Sequence, residues 1–143
     1  MENQNLTMRV SAGGVVINNS GKILIVSQHG NSWSLPKGGI DPDENEIDAA
    51  KREIYEESGV KNLVLIKSLG TYGRFRIGKD GGEDKNTFKI IKMFLFITSD
   101  IELKPVDPEN PEAKWVDKNE VTEILTHPKD KQFFQSIQNE IGL

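Results

Sequence analysis

Three glutamates that lie close together in the sequence, Glu53, Glu56 and Glu57, are the residues best suited to do chemistry. Glu53 and Glu57 are four residues apart and Glu56 lies three after Glu53, so on a helix all three carboxylates share one side. Like charges at this spacing repel, and such a cluster can bind a cation. Carboxylate oxygens suit Mg²⁺, Mn²⁺ or Ca²⁺ rather than Zn²⁺. The spacing also leaves open an ordinary solvated acidic face.

Arg52 directly precedes this cluster and can hold a carboxylate in place through a bidentate ion pair. Ahead of it, Pro36–Pro42 is predicted to be a loop, and its glycines let the backbone approach a ligand closely. The start of a helix behind such a loop also favours anions. The pattern therefore predicts a rigid acidic surface beside a site for a negatively charged group.

The helix that must carry the cluster is predicted over Asn45–Ser58. Its apolar residues recur at spacings of three and four and form one face, consisting of Ile47, Ala50 and Ile54. Asp43 followed by Glu46 resembles a capping box at its start. Gly59 is a natural C′ residue for its end. Burial of the apolar face would present the acidic face rigidly.

The remaining elements are predicted from alternation, turns and apolar periodicity. The strands are Leu6–Ile17 and Lys22–Ser27, which form a hairpin, then Leu63–Ile77 as one long or two shorter strands, Thr87–Thr98, and Ala113–Val116. Lys79–Asp84 is predicted to be a polar turn and Pro105–Pro111 a loop, and the last helices are Asn119–Leu125 and Lys129–Ile141. Apolar residues on both faces of Thr87–Thr98 indicate a central strand. The pattern predicts an α/β fold, a mixed sheet with helices on both faces.

The composition is typical of one soluble domain spanning residues 1–143. Of the 143 residues, 36% are hydrophobic and 28% are charged, which is enough for a packed core. The absence of cysteine excludes disulfides, thiolate metal sites and thiol catalysis. A net charge of -4 argues against a nucleic-acid-binding surface. No apolar run is long enough to span a bilayer and no signal-peptide pattern is visible, so a cytoplasmic protein is expected.

The stretch Gly38–Val60, GGIDPDENEIDAAKREIYEESGV, resembles the Nudix box, written G-x5-E-x7-R-E-U-x-E-E-x-G-U with U a bulky aliphatic residue. Glu44, Arg52 and Glu53 follow Gly38 at the family's spacing, and every fixed position is filled. The resemblance implies a Nudix hydrolase with an α/β/α sandwich, in which a mixed β-sheet lies between helices. It also implies that water cleaves a phosphoanhydride bond with Mg²⁺ as cofactor, for which Mn²⁺ is a possible substitute.

By the same resemblance, the metal ligands are expected to be the carbonyl of Gly38 and the carboxylates of Glu53, Glu56 and Glu57. The implied catalytic residues are Glu44, Arg52, Glu53 and Glu57. Among these, Arg52 would orient a glutamate, Glu44 would support the geometry of the loop and helix, and Glu53 is the first candidate for the general base. Glu112, in the stretch Pro-Glu-Ala-Lys-Trp, resembles a position where many Nudix sequences carry Glu-Ala-Arg-Trp. It is either a further metal ligand or base, or a surface carboxylate.

Residues outside the box indicate the substrate. The stretch Trp33–Gly38, WSLPKG, resembles the W-x-x-P-K-G stretch of the family's diadenosine polyphosphate hydrolases, and Ser11–Val15 is also similar to theirs. Lys37 would then hold a phosphate, and Trp33 could flank a base. Lys92 shares a strand face with apolar residues and needs a partner, which is either a polyanionic substrate or water reached by snorkelling.

Tyr72, Arg74 and Arg76 also share one face of a predicted strand. An aromatic ring beside two arginines could contact a nucleobase and phosphates, whereas the alternative is a solvated strand face. The two histidines, His29 and His127, lie outside the box and are expected in loops or at the surface, without a role.

The leading interpretation is asymmetric cleavage of a dinucleoside polyphosphate such as diadenosine tetraphosphate, giving ATP and AMP. A nucleoside triphosphate, oxidised or not, and a diphosphoinositol polyphosphate are alternatives within the same class, while the acidic charge argues against an RNA 5′ end. A non-catalytic Nudix domain that senses a nucleotide, or an interaction module, would belong to other classes. The expected partner is a small-molecule substrate, with no nucleic acid or membrane, for a monomer or homodimer.

Overall fold

A computed structural model describes residues 6–78, 80 and 82–141, apart from the side chain of Ile77. The strands are β1 (Thr7–Ile17), β2 (Ile23–Gln28), β3 (Ser32–Ser34), β4 (Lys37–Gly39), β5 (Leu63–Ile77), β6 (Glu83–Thr98) and β7 (Ala113–Val116). The helices are α1 (Glu46–Ser58), α2 (Lys118–Ile124) and α3 (Pro128–Ile137), and a 3₁₀ turn, Gln138–Glu140, follows α3. None of the helices in these described ranges is long and apolar enough to cross a membrane.

The strands form one mixed sheet in the order β3-β2-β1-β6-β5, with β4 paired to β1 and β7 paired to β2. β1 and β2 are antiparallel, which confirms the predicted hairpin. β1 runs parallel to β6 from the Thr7–Thr87 pair to the Ile17–Ile97 pair. β6 therefore lies between β1 and β5, which confirms the central position predicted from its apolar residues.

Alternate residues of β1 enter two different apolar cores, because successive side chains of a strand point to opposite faces. Val15 and Ile17 pack in one core with residues of α2 and α3. Ala12 and Val16 pack in the other core, which includes Ile54 of α1. Helices cover both faces of the sheet, so the predicted α/β/α arrangement is confirmed.

The helix α1 begins one residue away from its predicted start and uses a different cap. The side chain of Asn45 accepts a hydrogen bond from the backbone N–H of Asp48 at 2.8 Å. The predicted capping box of Asp43 and Glu46 is therefore wrong, because Asn45 occupies the N-cap position. At the other end, Gly59 has φ 84, as its predicted role requires. A side chain at Gly59 would also meet the carbonyl oxygen of Lys104 at 2.6 Å.

Two stretches differ from the sequence-based expectation. The predicted loop Pro36–Pro42 contains the short strand β4, which pairs with the Ser11–Gly13 part of β1. β6 begins at Glu83 and so includes the end of the predicted polar turn, of which Lys79 and Gly81 lie outside the described residues. Strand pairing explains both differences, with distant residues of β1 for β4 and with the end of β5 for the start of β6.

Candidate active site

The guanidinium of Arg52 connects the carboxylates predicted to do chemistry. Its Nε and Nη2 donate to the two oxygens of Glu44 at 2.6 and 2.9 Å. Its Nη1 donates to Glu53 at 3.0 Å and to Glu56 at 3.2 Å. Its Nη2 also donates to the carbonyl of Gly39 at 2.8 Å, which ties the helix to the preceding glycine strand. One cation thus offsets the repulsion among the glutamates and fixes their positions.

The pKa values of these groups follow from the same contacts. The hydrogen bond to Glu44 is the main cause that raises the pKa of Arg52, and it lowers the pKa of Glu44. Burial instead raises the pKa of Glu53, although the neighbouring Arg52 opposes this effect. Glu44 is therefore held as an anion by Arg52, whereas Glu53 gains basicity, as a proton acceptor requires.

The backbone of Gly38 packs directly against the carboxylate of Glu53. A Cβ added at Gly38 would lie 2.1 to 2.4 Å from the carboxylate carbon and oxygens of Glu53, which is closer than real atoms approach. The missing side chain therefore makes room for a carboxylate beside the backbone of β4. Neither residue is close to the other in sequence, and the folding of β4 back onto α1 brings them together.

Glu57 is the deepest of the glutamates, with only 3% of its surface exposed. One oxygen accepts from the backbone N–H of Lys37 at 3.0 Å, and the other accepts from the side-chain amide of Gln28 at 3.2 Å. Burial raises the pKa of Glu57 to about 8, although the nearby Lys37 charge and these hydrogen bonds oppose the shift. A buried carboxyl with two neutral donors has a strong tendency to take up a cation or a proton.

Lys37 extends its side chain from β4 to the opposite side of the sheet. Its Nζ lies 4.0 Å from Oδ2 of Asp130 in α3, and neither atom has a hydrogen-bond partner among the described residues. Burial lowers the pKa of Lys37 to about 7, against the opposing charge of Asp130. Gly13 makes this arrangement possible, since a Cβ there would lie 2.4 Å from the Cβ of Lys37.

Two further groups contact Oδ1 of Asp130. The hydroxyl of Tyr72 donates to this oxygen at 2.5 Å, and Nε of Arg74 lies 3.0 Å from it. Burial alone would raise the pKa of Asp130, but the charges of Lys37 and Arg74 together hold it below its ordinary value. We refer to Lys37, Tyr72, Arg74 and Asp130 as the Asp130 cluster. It holds an ionised carboxylate in a fully buried position between two cations.

A basic recess opens between the Asp130 cluster and Glu57. It is lined by Gln28, His29, Ser32, Arg74, Arg76 and Lys89. Gln28 also donates to Glu57, so the recess is continuous with the acidic group. Burial and the neighbouring Arg74 lower the pKa of Lys89. Three cationic side chains around one recess provide a place for an anion beside the glutamates.

Comparisons with known proteins agree with the motif. The model of the NUDIX domain matches residues 7–137. RNA pyrophosphohydrolases of Pelagibacter ubique and Bartonella henselae are 31% and 33% identical, over 85% and 94% of this chain and 84% and 90% of the relatives. A solved Ap4A hydrolase of C. elegans has a TM-score of 0.75 at 21% identity, covering 93% of this chain and 97% of that one. The chain belongs to the Nudix family.

As a Nudix hydrolase, the chain is an enzyme, which confirms the expectation drawn from the box. The sequence identity to the Ap4A hydrolase is only 21%, so this comparison supports the fold alone. Nudix hydrolases generally use divalent metal ions. The donor set around Gly38 and Glu57 suits a hard cation, because all candidate ligand atoms are oxygens.

The carboxylates of the Nudix box are not yet arranged around a common point. Within residues 6–78, 80 and 82–141, no three Asp, Glu or His side chains are gathered closely enough to hold a metal ion. Arg52 holds Glu53 and Glu56, while Glu57 faces Lys37 and Gln28. Arg52 contacts one oxygen of Glu53 and one of Glu56, so a metal ion would bind the other oxygen of each carboxylate.

Lys92 lies away from the deepest glutamate of the Nudix box. It is on the face of the sheet that α1 covers, as predicted, but its Nζ donates to Glu46 at 2.6 Å. Glu46 is the first residue of α1, about two helical turns before Glu53. The partner of Lys92 in this structure is thus a carboxylate, and contact with a substrate stays a prediction. Lys89, on the opposite face, lines the basic recess instead.

The three predicted strand residues differ in their contacts. Tyr72 stacks on Phe133 with ring centroids 4.5 Å apart, and its hydroxyl donates to Asp130, so its contact with a nucleobase stays a prediction. Arg74 is buried rather than solvated, and it lines the basic recess. Arg76 lines the same recess and pairs with Asp84 at 2.6 Å.

The other predicted contact residues lie at the rim of the site. Nζ of Lys114 lies 4.4 Å from the centroid of the Trp33 ring, so one face of that ring is already covered. Glu112 is exposed, and its backbone carbonyl accepts from the N–H of Ser27, next to Gln28. Their roles toward substrate and metal stay predictions.

His127 lies in the connection between α2 and α3, as expected of a loop residue, but it is buried rather than at the surface. The residue is only 3% exposed, and its Nδ1 caps α3 by accepting from the backbone N–H of Lys129 at 3.0 Å. Its Nε2 lies 3.4 Å from a carboxylate oxygen of Glu83. His29 is half-exposed and lines the basic recess, in agreement with a loop position.

Sequence reasoning missed Gln28, Lys89 and Asp130. Lys89 had a detectable signal, since it is a lysine among apolar residues of the same strand as Lys92, with its side chain on the opposite face. Gln28 and Asp130 had none, because their importance comes only from the groups they meet across the fold, Glu57 on α1 and Arg74 on β5.

Proposed function

We propose that this Nudix hydrolase uses Mg²⁺ to cleave a polyphosphate linked to a nucleoside, with a dinucleoside polyphosphate such as diadenosine tetraphosphate as substrate and ATP and AMP as products. The observation that carries the proposal is the basic recess next to Glu57. Arg74, Arg76 and Lys89 line this recess, although Asp130 and Asp84 offset part of the charge of the two arginines. The recess is small, about 30 Å³, so a chain of several phosphates would extend from it along the neighbouring surface.

The chain's own residues supply the proton transfer and the orientation. Water forms a bond to phosphorus while the bond from that phosphorus to the bridging oxygen breaks, and the second phosphate group leaves with the bridging oxygen. Glu53, which burial makes more basic and Arg52 orients, accepts the proton of the attacking water. Arg74 would hold phosphate oxygens at the basic recess. The Nζ of Lys37 is buried against Asp130, so the predicted contact of Lys37 with a phosphate would require its side chain to turn.

Gly38, through its carbonyl, and Glu53, Glu56 and Glu57 would hold the metal ion. A bound Mg²⁺ supplies neutralisation of phosphate charge and lowers the pKa of the attacking water. The close fit of the Glu53 carboxylate against Gly38 supports this set, since a larger residue would push the carboxylate away from the backbone. Glu112 is proposed as a further ligand or base at the rim.

A second candidate is the 5′-triphosphate end of RNA. The relatives that match most of the chain at 31% and 33% identity are named RNA pyrophosphohydrolases. Their names favour RNA over nucleoside triphosphates and diphosphoinositol polyphosphates as the second candidate. Both candidates present a phosphoanhydride next to a nucleoside, so the same site could cleave either. The net charge of -4 reduces attraction to the rest of an RNA strand.

The test is turnover with Mg²⁺ of a panel that contains diadenosine tetraphosphate, 5′-triphosphorylated RNA, ATP, dGTP with its 8-oxo form, ADP-ribose and a diphosphoinositol phosphate. Products are separated by ion-exchange chromatography. ATP and AMP formed from diadenosine tetraphosphate at the highest kcat/KM support the proposal. Pyrophosphate released from RNA at a higher kcat/KM would replace it with the second candidate, and a preference for another member would overturn both.

Glu57→Gln tests whether the Nudix box catalyses the observed reaction. The variant keeps the size of the side chain but removes its charge, so kcat should fall by about 10²- to 10⁴-fold. Glu123→Gln, an exposed carboxylate on α2, is the matched control and should keep wild-type turnover. Equal activity of Glu57→Gln and wild type would show that the reaction takes place elsewhere.

A further inference from the structure

Asp130 is the point where the last helix meets the cations of the active site. Its side chain is fully buried, yet it comes from α3, far in sequence from the Nudix box. Oδ1 contacts both the hydroxyl of Tyr72 and Nε of Arg74, while Oδ2 faces Nζ of Lys37 at 4.0 Å. A single carboxylate is therefore shared by two buried cations.

Arg74 connects Asp130 with the basic recess. Lys37 lies on the other side of Asp130, where its buried Nζ faces Oδ2. Arg74 lines the recess, and Nη1 donates to the carbonyl of Phe75 at 3.0 Å while Nε faces Asp130. Two fixed contacts leave the guanidinium in one orientation at the recess.

Hydrogen bonding in the Asp130 cluster is incomplete among the described residues. One carboxylate faces both the amine of Lys37 and the guanidinium of Arg74 in a buried place. Nζ of Lys37, Nε of Arg74 and Oδ2 of Asp130 all lack a hydrogen-bond partner within the described part of the chain. A buried guanidinium is costly without an anionic partner, so Asp130 allows Arg74 to stay next to the recess.

We propose that Asp130 is a positioning residue, which aligns the guanidinium of Arg74 at the basic recess so that it binds the phosphates of the substrate beyond the one attacked. This inference rests on the proposed polyphosphate function. Asp130 itself would not touch the substrate, because both its oxygens face the cluster. Its loss should weaken the binding of long phosphate chains while leaving the chemistry at Glu53 and Glu57 in place.

The test compares Asp130→Asn with the wild-type enzyme in Mg²⁺. The non-hydrolysable probe is inorganic imidotriphosphate, and its dissociation constant is measured by calorimetry alongside kcat and KM for the substrate that the wild type cleaves. The dissociation constant and KM should rise about tenfold or more, because a charge-assisted contact to phosphate is lost. The value of kcat should change less than about threefold. The matched control is Asp100→Asn, whose carboxylate accepts three hydrogen bonds from Lys61 and Asn62 at the surface.

Unchanged probe binding in a folded Asp130→Asn protein would overturn the inference, and so would a fall in kcat with KM unchanged. An equal loss of binding in Asp100→Asn would also overturn it, because that would indicate general destabilisation. If Asp130→Asn does not fold, Arg74→Lys decides, since a lysine keeps the charge but cannot face Asp130 and the recess together. Wild-type probe binding by Arg74→Lys would then overturn the inference. Failure of the wild type on dinucleoside polyphosphates would instead count against the proposed function, because probe binding is independent of the nucleoside.

Discussion

Glu57 is enclosed by protein, yet the two groups that donate hydrogen bonds to it, the N–H of Lys37 and the amide of Gln28, are both neutral. At the residue scale, protonation of Glu57 should therefore compete with the binding of a metal ion. The burial that raises its pKa to about 8 means that the metal-free protein holds a proton there at neutral pH. A divalent ion must displace that proton before the carboxylate can become a ligand.

The affinity for Mg²⁺ should therefore rise with pH by up to about tenfold per pH unit and level off above about pH 8. The sign follows from the raised pKa, since protons compete with the metal only below it. Calorimetric titrations in buffers with different ionisation enthalpies measure the protons released. In Glu57→Gln the release should be lost. An affinity that stays constant between pH 6 and 8 would contradict this account of Glu57.

The contact between Gly38 and Glu53 leads to a second prediction. Gly38→Ala places a methyl group against the end of a flexible side chain, which can move away at little cost in stability. The displaced carboxylate can no longer serve as base or ligand, so kcat/KM should fall by about 10²-fold with the melting temperature nearly unchanged.

Gly39→Ala is the matched control for Gly38→Ala, because a Cβ at Gly39 meets nothing within 4 Å. Its backbone carbonyl would still accept from Arg52. Equal activity of the two variants would show that the close approach at Gly38 has no part in catalysis.

The individual residues of the site were predictable only where their chemistry is local. The glutamates and Arg52 lie within one helix, so their spacing alone predicts that they interact. Asp130 appears in sequence as one acidic residue in the first turn of α3, where it would be expected to face solvent. Its partners are supplied by β4 and β5, and no local pattern records that meeting.

At the scale of elements, the start of α1 sets the direction from which the Nudix box is presented. Asn45 caps the helix, and its amide also donates to the carboxylate of Asp48 at 3.1 Å. Asp43, which the sequence suggested as the cap, lies two residues too early. The sequence could not separate them, since both residue types are good caps and only the path of the chain after β4 decides.

Asn45→Ala should lower the free energy of unfolding by about 1 kcal/mol, the usual value of a lost N-cap. Asp43→Ala should change it by less than about 0.5 kcal/mol, because an exposed residue that caps nothing contributes little. Urea denaturation of both variants measures the difference. Equal or reversed losses would show that the helix begins with the capping box instead.

Strand alternation was a useful guide to which side chains share a face. It predicts that Lys92 shares a face with Phe94 and Phe96, and the structure shows α1 on that face. It also puts Arg74 and Arg76 on one face, and both line the basic recess. The register shift against β6 between Phe75 and Arg76 depends on the partner strand, so a single sequence does not reveal it.

On the scale of the whole molecule, the candidate active site combines residues from both helix layers. α1 carries the glutamates on one face, α3 carries Asp130 on the other, and β4 connects them through Lys37. The apolar periodicity of the sequence predicted both layers and the central strand. It could not predict that Lys37 contacts a helix on each face, because that depends on how β4 folds back along β1.

The parallel pairing of β1 with β6 has a consequence for how the chain reaches this structure. Thr7 pairs with Thr87 and Ile17 with Ile97, so every contact along this ladder joins residues more than half the chain apart. Such contacts close a long loop before they bring any stability, and domains rich in them fold in roughly milliseconds to seconds rather than microseconds. During synthesis, the hairpin of β1 and β2 and the helix with the Nudix box are complete well before β6 appears. One edge of β1 therefore has no strand partner until β6 has been synthesised, and the sheet cannot be completed before then.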